Sequence, residues 1–256
     1  METTTQPGAG ITVALFATCI TDTMKPSVPI AVVKLLERLG CTVTFPKSQT
    51  CCGQITTNTG YFARSLGTVK NYVRSFRDYE YVVAPSGSCV GAVRHQHEMI
   101  ATKAGDAGLA RDAKEAASHT YDISEFLVDV LGVTDVGAYF PHQVAYHPSC
   151  HGMRIAKLGD KPMRLLRAVE GIEIVDLPEA EQCCGFGGTF SVKNPDISIA
   201  MATDKAKNVA GTGAEYLVGG DHACLMNIVG RLHREKQPVK AIHLAEILAS
   251  TKEDAR

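Results

Sequence analysis

Short apolar runs recur along the chain, and four of them lead directly into a cysteine. They are found in the stretches "ITVALFATC", "DYEYVVAPSGSC", "HQVAYHPSC" and "GAEYLVGGDHAC". Each run is rich in Val, Ile, Leu or Tyr and is closed by Gly, Pro, Ser or Thr, which is typical of a short buried strand. The pattern therefore predicts that each of these cysteines lies just beyond the C-terminal end of a strand.

The segments between these runs have the periodicity of helices. In "KPSVPIAVVKLLERLG", Val28, Val32 and Leu36 fall on one helical face, and Gly40 suits the end of the helix. Similar patterns predict helices in "KPMRLLRAVEG" and in residues 61–76, 123–131 and 195–210, and one further helix is predicted after Cys89 and another after Cys224. Because strands alternate with helices, the predicted fold class is α/β, with two tandem pseudo-symmetric βαβ lobes that contain parallel sheets.

The repeating pattern is interrupted once, at "GAYFPH" in residues 137–142. We predict a first lobe in residues 1–140 and a second lobe in residues 141–256. The tail "PVKAIHLAEILAS" has the pattern of a last strand and a last helix.

Composition narrows the class of protein. The 256 residues are 45% hydrophobic and 21% charged, with a formal net charge of -1, so no basic field marks the chain as a nucleic-acid or anionic-membrane binder. The segment "METTTQPGAG" has neither the basic nor the apolar part of a secretory signal, and it predicts a floppy lead-in. No apolar run is long enough for a membrane helix. We expect a cytoplasmic protein.

Eight of the nine cysteines form two sets of four, one in each half, in the same order and at nearly the same spacing. The first half has Cys19, Cys51, Cys52 and Cys89, and the second half has Cys150, Cys183, Cys184 and Cys224. Recurrence at a fixed spacing indicates an internal duplication. The ninth, Cys41, lies between a helix pattern and a strand pattern, where a small buried side chain is expected.

The adjacent cysteines in "QTCCGQ" and "QCCGFGG" indicate metal chemistry. Consecutive Cα atoms are about 3.8 Å apart, which is below the roughly 4.4–6.8 Å of relaxed disulfides. Two neighbouring thiolates repel each other unless a cation shares their charge. Gly53 and Gly185 can take a positive φ and keep side chains away. Four thiolates suit Zn²⁺ or an iron–sulfur cluster, and their wide spacing favours iron–sulfur over zinc. We therefore predict that all eight repeated cysteines bind metal.

Histidines accompany the cysteines of the second half. His147 and His151 flank Cys150, and either could replace a ligand or accept a proton from a hydroxyacid, although polar residues at strand ends often serve only to bond backbone. We name both as candidate catalytic residues. No histidine precedes or follows the first-half cysteines closely, and His97 is expected on a helix surface. The second site is therefore predicted to face the substrate, and the first to relay electrons.

These motifs resemble the cysteine-rich CCG domain family, which includes a cysteine-rich component of the heterodisulfide reductases, the iron–sulfur component of glycolate oxidase and the lactate utilization protein A group. The last group matches best, through "FATCITD", "QTCCGQ", "APSGSC", "YHPSCHGMR", "CCGFGGTFSVK" and "HLAEIL". The resemblance implies one or two [4Fe–4S] clusters and an oxidoreductase role in converting L-lactate to pyruvate. It also implies electron transfer with two partner proteins, one of them of ferredoxin type.

One departure and several alternatives stay open. The heterodisulfide reductase proteins end each motif Cys-x-x-Cys, whereas this chain has Ala92 and Asn227 at the last position. The five-thiolate site of those proteins therefore cannot be assigned to this chain. Two possibilities remain: an ordinary four-thiolate cluster, or a cluster in which a water, a substrate oxygen or a histidine binds one iron. The alternative functions are a component of a glycolate or other 2-hydroxyacid oxidase, a component of a disulfide reductase, or a structural metal-binding scaffold.

Overall fold

Two four-stranded parallel sheets form the framework of the protein. The computed structural model describes residues 6–253. The strands of the first sheet are β1 (Thr12–Leu15), β2 (Thr42–Thr44), β3 (Tyr81–Ala84) and β4 (Thr120–Asp122). Those of the second are β5 (Gln143–His147), β6 (Glu173–Val175), β7 (Tyr216–Gly219) and β8 (Lys240–His243). The spatial orders are β2-β1-β3-β4 and β6-β5-β7-β8, so the second sheet repeats the first.

Helices connect the strands in both halves. The first half contains α1 (Cys19–Met24), α2 (Ser27–Arg38), α3 (Gln54–Thr57), α4 (Phe62–Phe76), α5 (Gly87–Lys103), α6 (Ala107–Ser118) and α7 (Ile123–Glu125), followed by a π-helical segment, Phe126–Val130. The second contains a π-helical segment, Gly152–Ala156, and then α8 (Lys161–Arg167), α9 (Phe190–Lys193), α10 (Pro195–Gly211), α11 (His222–Arg234) and α12 (Leu244–Ala249). The predicted α/β class, with parallel sheets in two tandem lobes, is confirmed.

One strand escaped the sequence prediction. β4 pairs with β3 through Val82 and Thr120, and α6 precedes it. A three-residue strand with the sequence TYD is too short to produce an alternating pattern. Tertiary contacts hold it instead, because the guanidinium of Arg94 donates to the Thr120 carbonyl from Nε at 2.9 Å and from Nη2 at 2.6 Å. Arg94 also forms a 2.9 Å ion pair with Glu125.

A shared core joins the two halves. One hydrophobic cluster contains Val13 and Leu35 of the first half together with Val144 and Leu165 of the second. The guanidinium of Arg38, at the end of α2, donates to the carbonyls of Val136, Leu248 and Ala249. The first sheet lies within residues 12–122 and the second within residues 143–243. The division into lobes 1–140 and 141–256 stays a prediction, and residues 1–5 and 254–256 lie outside the described part.

Close packing also brings the two cysteine-bearing ends together. Helix α5 crosses the segment Gly152–Ala156, and a Cβ added to Gly87 would lie 3.1 Å from the Cα of Gly152. Two glycines at this crossing therefore permit a close backbone approach. The N-terminal segment that was predicted to be floppy is residues 1–10, of which the structure describes residues 6–10. Within that part, Gly8 is buried and its N–H donates to the Leu39 carbonyl at 2.9 Å. Among residues 6–253, no helix has the length and apolar character needed to cross a membrane.

Candidate metal centre

The single cysteines of the repeat lie where parallel sheets present their carboxyl ends. Cys19 begins α1 and Cys89 lies in the first turn of α5, after β1 and β3 respectively. Cys150 follows β5, and Cys224 lies in the first turn of α11 after β7. This is the edge at which open parallel sheets bind ligands. The predicted position just beyond each strand is confirmed.

All eight repeated cysteines line one cavity of about 160 Å³. The prediction placed four sulfurs at the edge of each sheet, and the structure turns the two edges toward each other so that both sets share a space. Other side chains on this cavity include His151, His222, Asp221 and Phe186. Cys41 lies elsewhere, buried in the core, as expected for a small apolar side chain.

The sulfurs are arranged in two similar chains. We call Cys19, Cys51, Cys52 and Cys89 the first sulfur set, and Cys150, Cys183, Cys184 and Cys224 the second. In the first set, the Sγ atoms of Cys19 and Cys51 are 3.4 Å apart, as are those of Cys52 and Cys89. In the second set, the thiols interact in the same order along the chain. The duplication seen in the sequence is therefore also a duplication of the site.

The first cysteine of each adjacent pair is stabilised as a thiolate. Hydrogen bonds from the thiols of Cys19 and Cys52 lower the pKa of Cys51 to about 3, helped by the Gly53 N–H at 3.4 Å. Thiol donors and the Gly185 N–H, also at 3.4 Å, lower the pKa of Cys183 to about 2. The pKa values of the thiols that donate to them, such as Cys19 and Cys52, are raised. Each set thus concentrates negative charge at the centre of its chain of sulfurs, which favours a cation there.

The backbone around the cysteines is held in unusual conformations. Gly53 and Gly185 have φ values of +83° and +82°, and a Cβ at Gly185 would meet the Ser198 carbonyl oxygen at 2.7 Å. The predicted reason for these glycines is therefore confirmed. Thr18 and Ser149, directly before Cys19 and Cys150, are not glycines but have φ values of 65° and 53°. Such strain is concentrated at functional sites, where the surrounding structure enforces it.

A buried carboxylate connects three of the cysteine-bearing segments. Asp221 is 3% exposed, and its Oδ1 accepts from the Ser86 hydroxyl at 2.7 Å and from the Ser88 hydroxyl and N–H at 2.7 and 3.1 Å. Its Oδ2 accepts from the Ser149 hydroxyl at 2.6 Å. A side chain at the start of a helix often caps it, and Asp221 stands at the start of α11. It precedes α11 but makes no side-chain cap, because its oxygens are committed to the other segments.

The histidines differ in what they touch. His151 is half-buried on the cavity, with its Nδ1 3.6 Å from the Sγ of Cys150. His147 is buried and is not among the residues that line the cavity. One ring nitrogen of His147 and the sulfurs of Cys184 and Cys224 all lie within 4.8 Å of one another. Burial lowers the pKa of His147 to about 4, so its imidazole is neutral and can act as a ligand at neutral pH.

The expectation that His97 is a surface residue was wrong. It is fully buried on α5, and its Nε2 lies 2.8 Å from the Cys52 carbonyl oxygen. The first half therefore does have a histidine beside its cysteines. A signal was available, because Val90, Val93, His97 and Ile100 follow one another at helical spacing on the buried face of α5.

Neither position of the absent fifth cysteine faces the cavity. Ala92 is buried in the first half's core. Asn227 donates from Nδ2 to the Cys184 carbonyl at 2.8 Å. It therefore fixes the backbone of the adjacent pair, as His97 does for Cys52. Among the described residues, neither Ala92 nor Asn227 belongs to the cavity lining.

The donor set fits a metal or an iron–sulfur cluster. All nine cysteines are free thiols, and eight of them converge on the cavity. Thiolates are soft ligands, which select zinc, copper(I) or iron–sulfur clusters over hard cations. Backbone N–H groups already point to Cys51 and Cys183, and such hydrogen bonds to sulfur tune the potential of iron–sulfur clusters.

Comparisons with known proteins agree with this organisation. The family model described as "Cysteine-rich domain", CCG, matches twice, at residues 13–94 and 144–229. Among solved structures, a hypothetical protein from Helicobacter pylori has a TM-score of 0.63 at 10% identity, covering 98% of this chain and 51% of its own chain. That similarity supports the fold alone.

Close relatives extend over nearly the whole chain. Lactate utilization protein A of Oceanobacillus iheyensis is 48% identical over 241 residues, covering 94% of this chain and 98% of the relative. The protein of that name from Exiguobacterium sp. is 48% identical, with coverages of 92% and 96%. The one from Geobacillus kaustophilus is 46% identical, with coverages of 92% and 98%. The chain therefore belongs to the cysteine-rich CCG domain family and is similar over most of its length to the proteins named lactate utilization protein A.

Proposed function

We propose that this chain is the iron–sulfur electron-transfer subunit of an oxidoreductase system that converts L-lactate to pyruvate. The observation that carries the proposal is the convergence of eight free cysteines, four from each half, on one cavity. The names of its relatives supply the lactate part of the proposal. The cytoplasm is the expected location, because a reducing compartment keeps such thiols from forming disulfides.

In this proposal, each sulfur set holds one [4Fe–4S] cluster, and the cluster's contribution is to take up and release single electrons. The protein supplies the four thiolates of each set, the Gly53 and Gly185 N–H groups that donate to sulfur, and a buried site. Oxidation of lactate releases two electrons. Both sets line the same cavity, and in this proposal each set would take up one of the two electrons.

His151 is the residue that we propose to act on the substrate. It lies on the cavity beside Cys150, where its imidazole can accept the proton of a hydroxyacid hydroxyl. Replacement of His151 with alanine should lower lactate turnover while the iron content per chain holds. Unchanged turnover would remove His151 from the mechanism and leave the sulfur sets unaffected.

Two further proteins complete the proposed system, one of which carries ferredoxin-type clusters. These partners would receive electrons from the cavity or hand them on. The substrate is a small 2-hydroxyacid, and the net charge of -1 gives no support to a nucleic-acid partner.

The test is reduction of the anaerobic protein by its substrate. The protein is mixed with the two partner proteins, and visible absorbance is followed after addition of L-lactate, D-lactate or glycolate. We expect bleaching with L-lactate, and parallel reduction of an artificial acceptor. Bleaching with glycolate alone would favour the hydroxyacid oxidase alternative, and bleaching with none of the three would contradict the lactate assignment.

A further inference from the structure

We infer that His147 is a fifth ligand of the second sulfur set, which gives that set a nitrogen donor that the first set lacks. The inference rests on the proposed function in that both require a cluster or metal at these cysteines. It goes further in distinguishing the two halves of a duplicated site by one residue.

The position of His147 places it among the sulfurs of the second set. It is the last residue of β5 and is 1% exposed. A ring nitrogen lies within 4.8 Å of the Sγ atoms of both Cys184 and Cys224, which are themselves within that distance of each other. Three donor atoms at this spacing could hold one metal ion between them.

The internal repeat shows that the fold does not require a histidine at this point. His147 is three residues before Cys150, and the matching residue three before Cys19 is Phe16. Phe16 is also fully buried, and it packs edge-on against Tyr72 at a ring distance of 5.2 Å. An apolar ring therefore satisfies the same site in the first half. The histidine of the second half is a departure that packing does not explain.

The hydrogen bonding of His147 is incomplete in the way expected of a ligand. Neither ring nitrogen has a hydrogen-bond partner of regular geometry within the described residues, although both are buried. Buried polar groups are nearly always satisfied, so an exception calls for a function such as ion binding. The carbonyl of Ala180 interacts with the ring, and metal-binding histidines commonly direct their second nitrogen to such a group. The Lys205 ammonium donates to that carbonyl at 3.1 Å and fixes it.

The residue at the position of the missing fifth cysteine cannot take this role. The Asn227 amide donates to the Cys184 carbonyl at 2.8 Å, so this side chain is committed to the backbone of the adjacent pair. His147, at the end of β5, lies beside the sulfurs of Cys184 and Cys224 instead. The second set would then offer four sulfurs and one nitrogen, against four sulfurs in the first.

Pulsed electron paramagnetic resonance on the iron-loaded, dithionite-reduced full chain tests the inference. The protein is prepared with ¹⁵N-labelled histidine, and iron per chain is measured on the same samples. We expect a ¹⁵N coupling in the wild type that disappears in His147→Phe, which places the residue of the first half in the second. The matched control His151→Phe should keep the coupling. His147→Cys should lose the coupling but retain more iron than His147→Phe, because sulfur can replace the nitrogen.

The outcomes separate this inference from the proposed function. Iron-loaded wild type without a ¹⁵N coupling, or a coupling that survives in His147→Phe and His147→Cys, would overturn the inference alone. Loss of the coupling in His151→Phe but not in His147→Phe would identify His151 as the ligand and would also overturn the inference. Failure of the wild type to bind iron would contradict the proposed function and the inference together.

Discussion

Replacing Asp221 with alanine should loosen the two halves of the site at once. Its carboxylate accepts four hydrogen bonds, from Ser86, from the hydroxyl and N–H of Ser88, and from Ser149. The three serines lie beside Cys89 and Cys150, and Asp221 itself is three residues before Cys224. One side chain therefore fixes the starts of α5 and α11 and the segment after β5 relative to one another.

The size of the effect follows from which donors lose their partner. Ser86 and Ser149 are 5% and 3% exposed, so water cannot readily replace the carboxylate there. An unsatisfied buried donor costs about 1–3 kcal/mol. Ser88 is half-buried, and its groups can turn to solvent. Two buried losses give about 4 kcal/mol, which corresponds to a fall of about 8–16 °C in Tm for a chain of this size.

The assay is thermal unfolding of Asp221→Ala, Asp221→Asn and the control Asp22→Ala, with iron per chain measured in parallel. Asparagine keeps one acceptor oxygen, so its loss should be about half that of alanine. Asp22 is exposed on α1, and its removal should change the free energy of unfolding by no more than about 0.5 kcal/mol. The reasoning is refuted if Asp221→Ala unfolds at about the same temperature as the wild type and binds iron equally well.

Three further predictions follow from the geometry. Gly185→Ala should lower the free energy of unfolding by at least about 2 kcal/mol and reduce the iron content, because φ is +82° and the added Cβ would lie 2.7 Å from a carbonyl oxygen. The control Gly60→Ala has the same φ but open space around the Cβ, and it should cost about 1 kcal/mol. Equal losses for the two variants in urea unfolding would count against the steric argument. Burial lowers the pKa of His243 to about 4, below about 6.5 in the unfolded chain, so the unfolded state binds more protons, and the contribution of His243 to stability should fall by about 3 kcal/mol between pH 6.5 and 4. His243→Gln should have a shallower pH dependence of urea unfolding than the wild type, and an unchanged slope would contradict the assignment. Asn227→Cys should not raise iron per chain, because the side chain at this position contacts the Cys184 carbonyl, and a higher iron content would contradict this reasoning.

The sequence was sufficient for the parts of the fold that local patterns encode. Apolar runs and helical periodicity predicted the strands that carry cysteines, and Gly53 and Gly185 indicated a positive φ because other residues rarely take it without strain. The predicted helix in residues 61–76 corresponds to α4, Phe62–Phe76, and that in residues 195–210 to α10, Pro195–Gly211. These features depend on neighbours close in the chain.

Features that depend on distant contacts were not predictable in the same way. β4 is only three residues long, which is too short for an alternating pattern, and a distant residue, Arg94 of α5, holds it in place. Nothing in the spacing of the cysteines indicates that the two sheet edges face one cavity. The role of Asp221 is likewise invisible without Ser86 and Ser149 beside it, although the buried position of His97 could have been found from the spacing of apolar residues on α5.

Iron and acid-labile sulfide per chain, measured after anaerobic purification, test the central claim most directly. The wild type should be coloured and contain both elements, and Cys51→Ser/Cys52→Ser should lose the share held by the first sulfur set. Cys41→Ala, which removes a buried cysteine away from the cavity, should keep the full content. A colourless wild-type protein with stoichiometric zinc, or equal iron in all three proteins, would contradict the account.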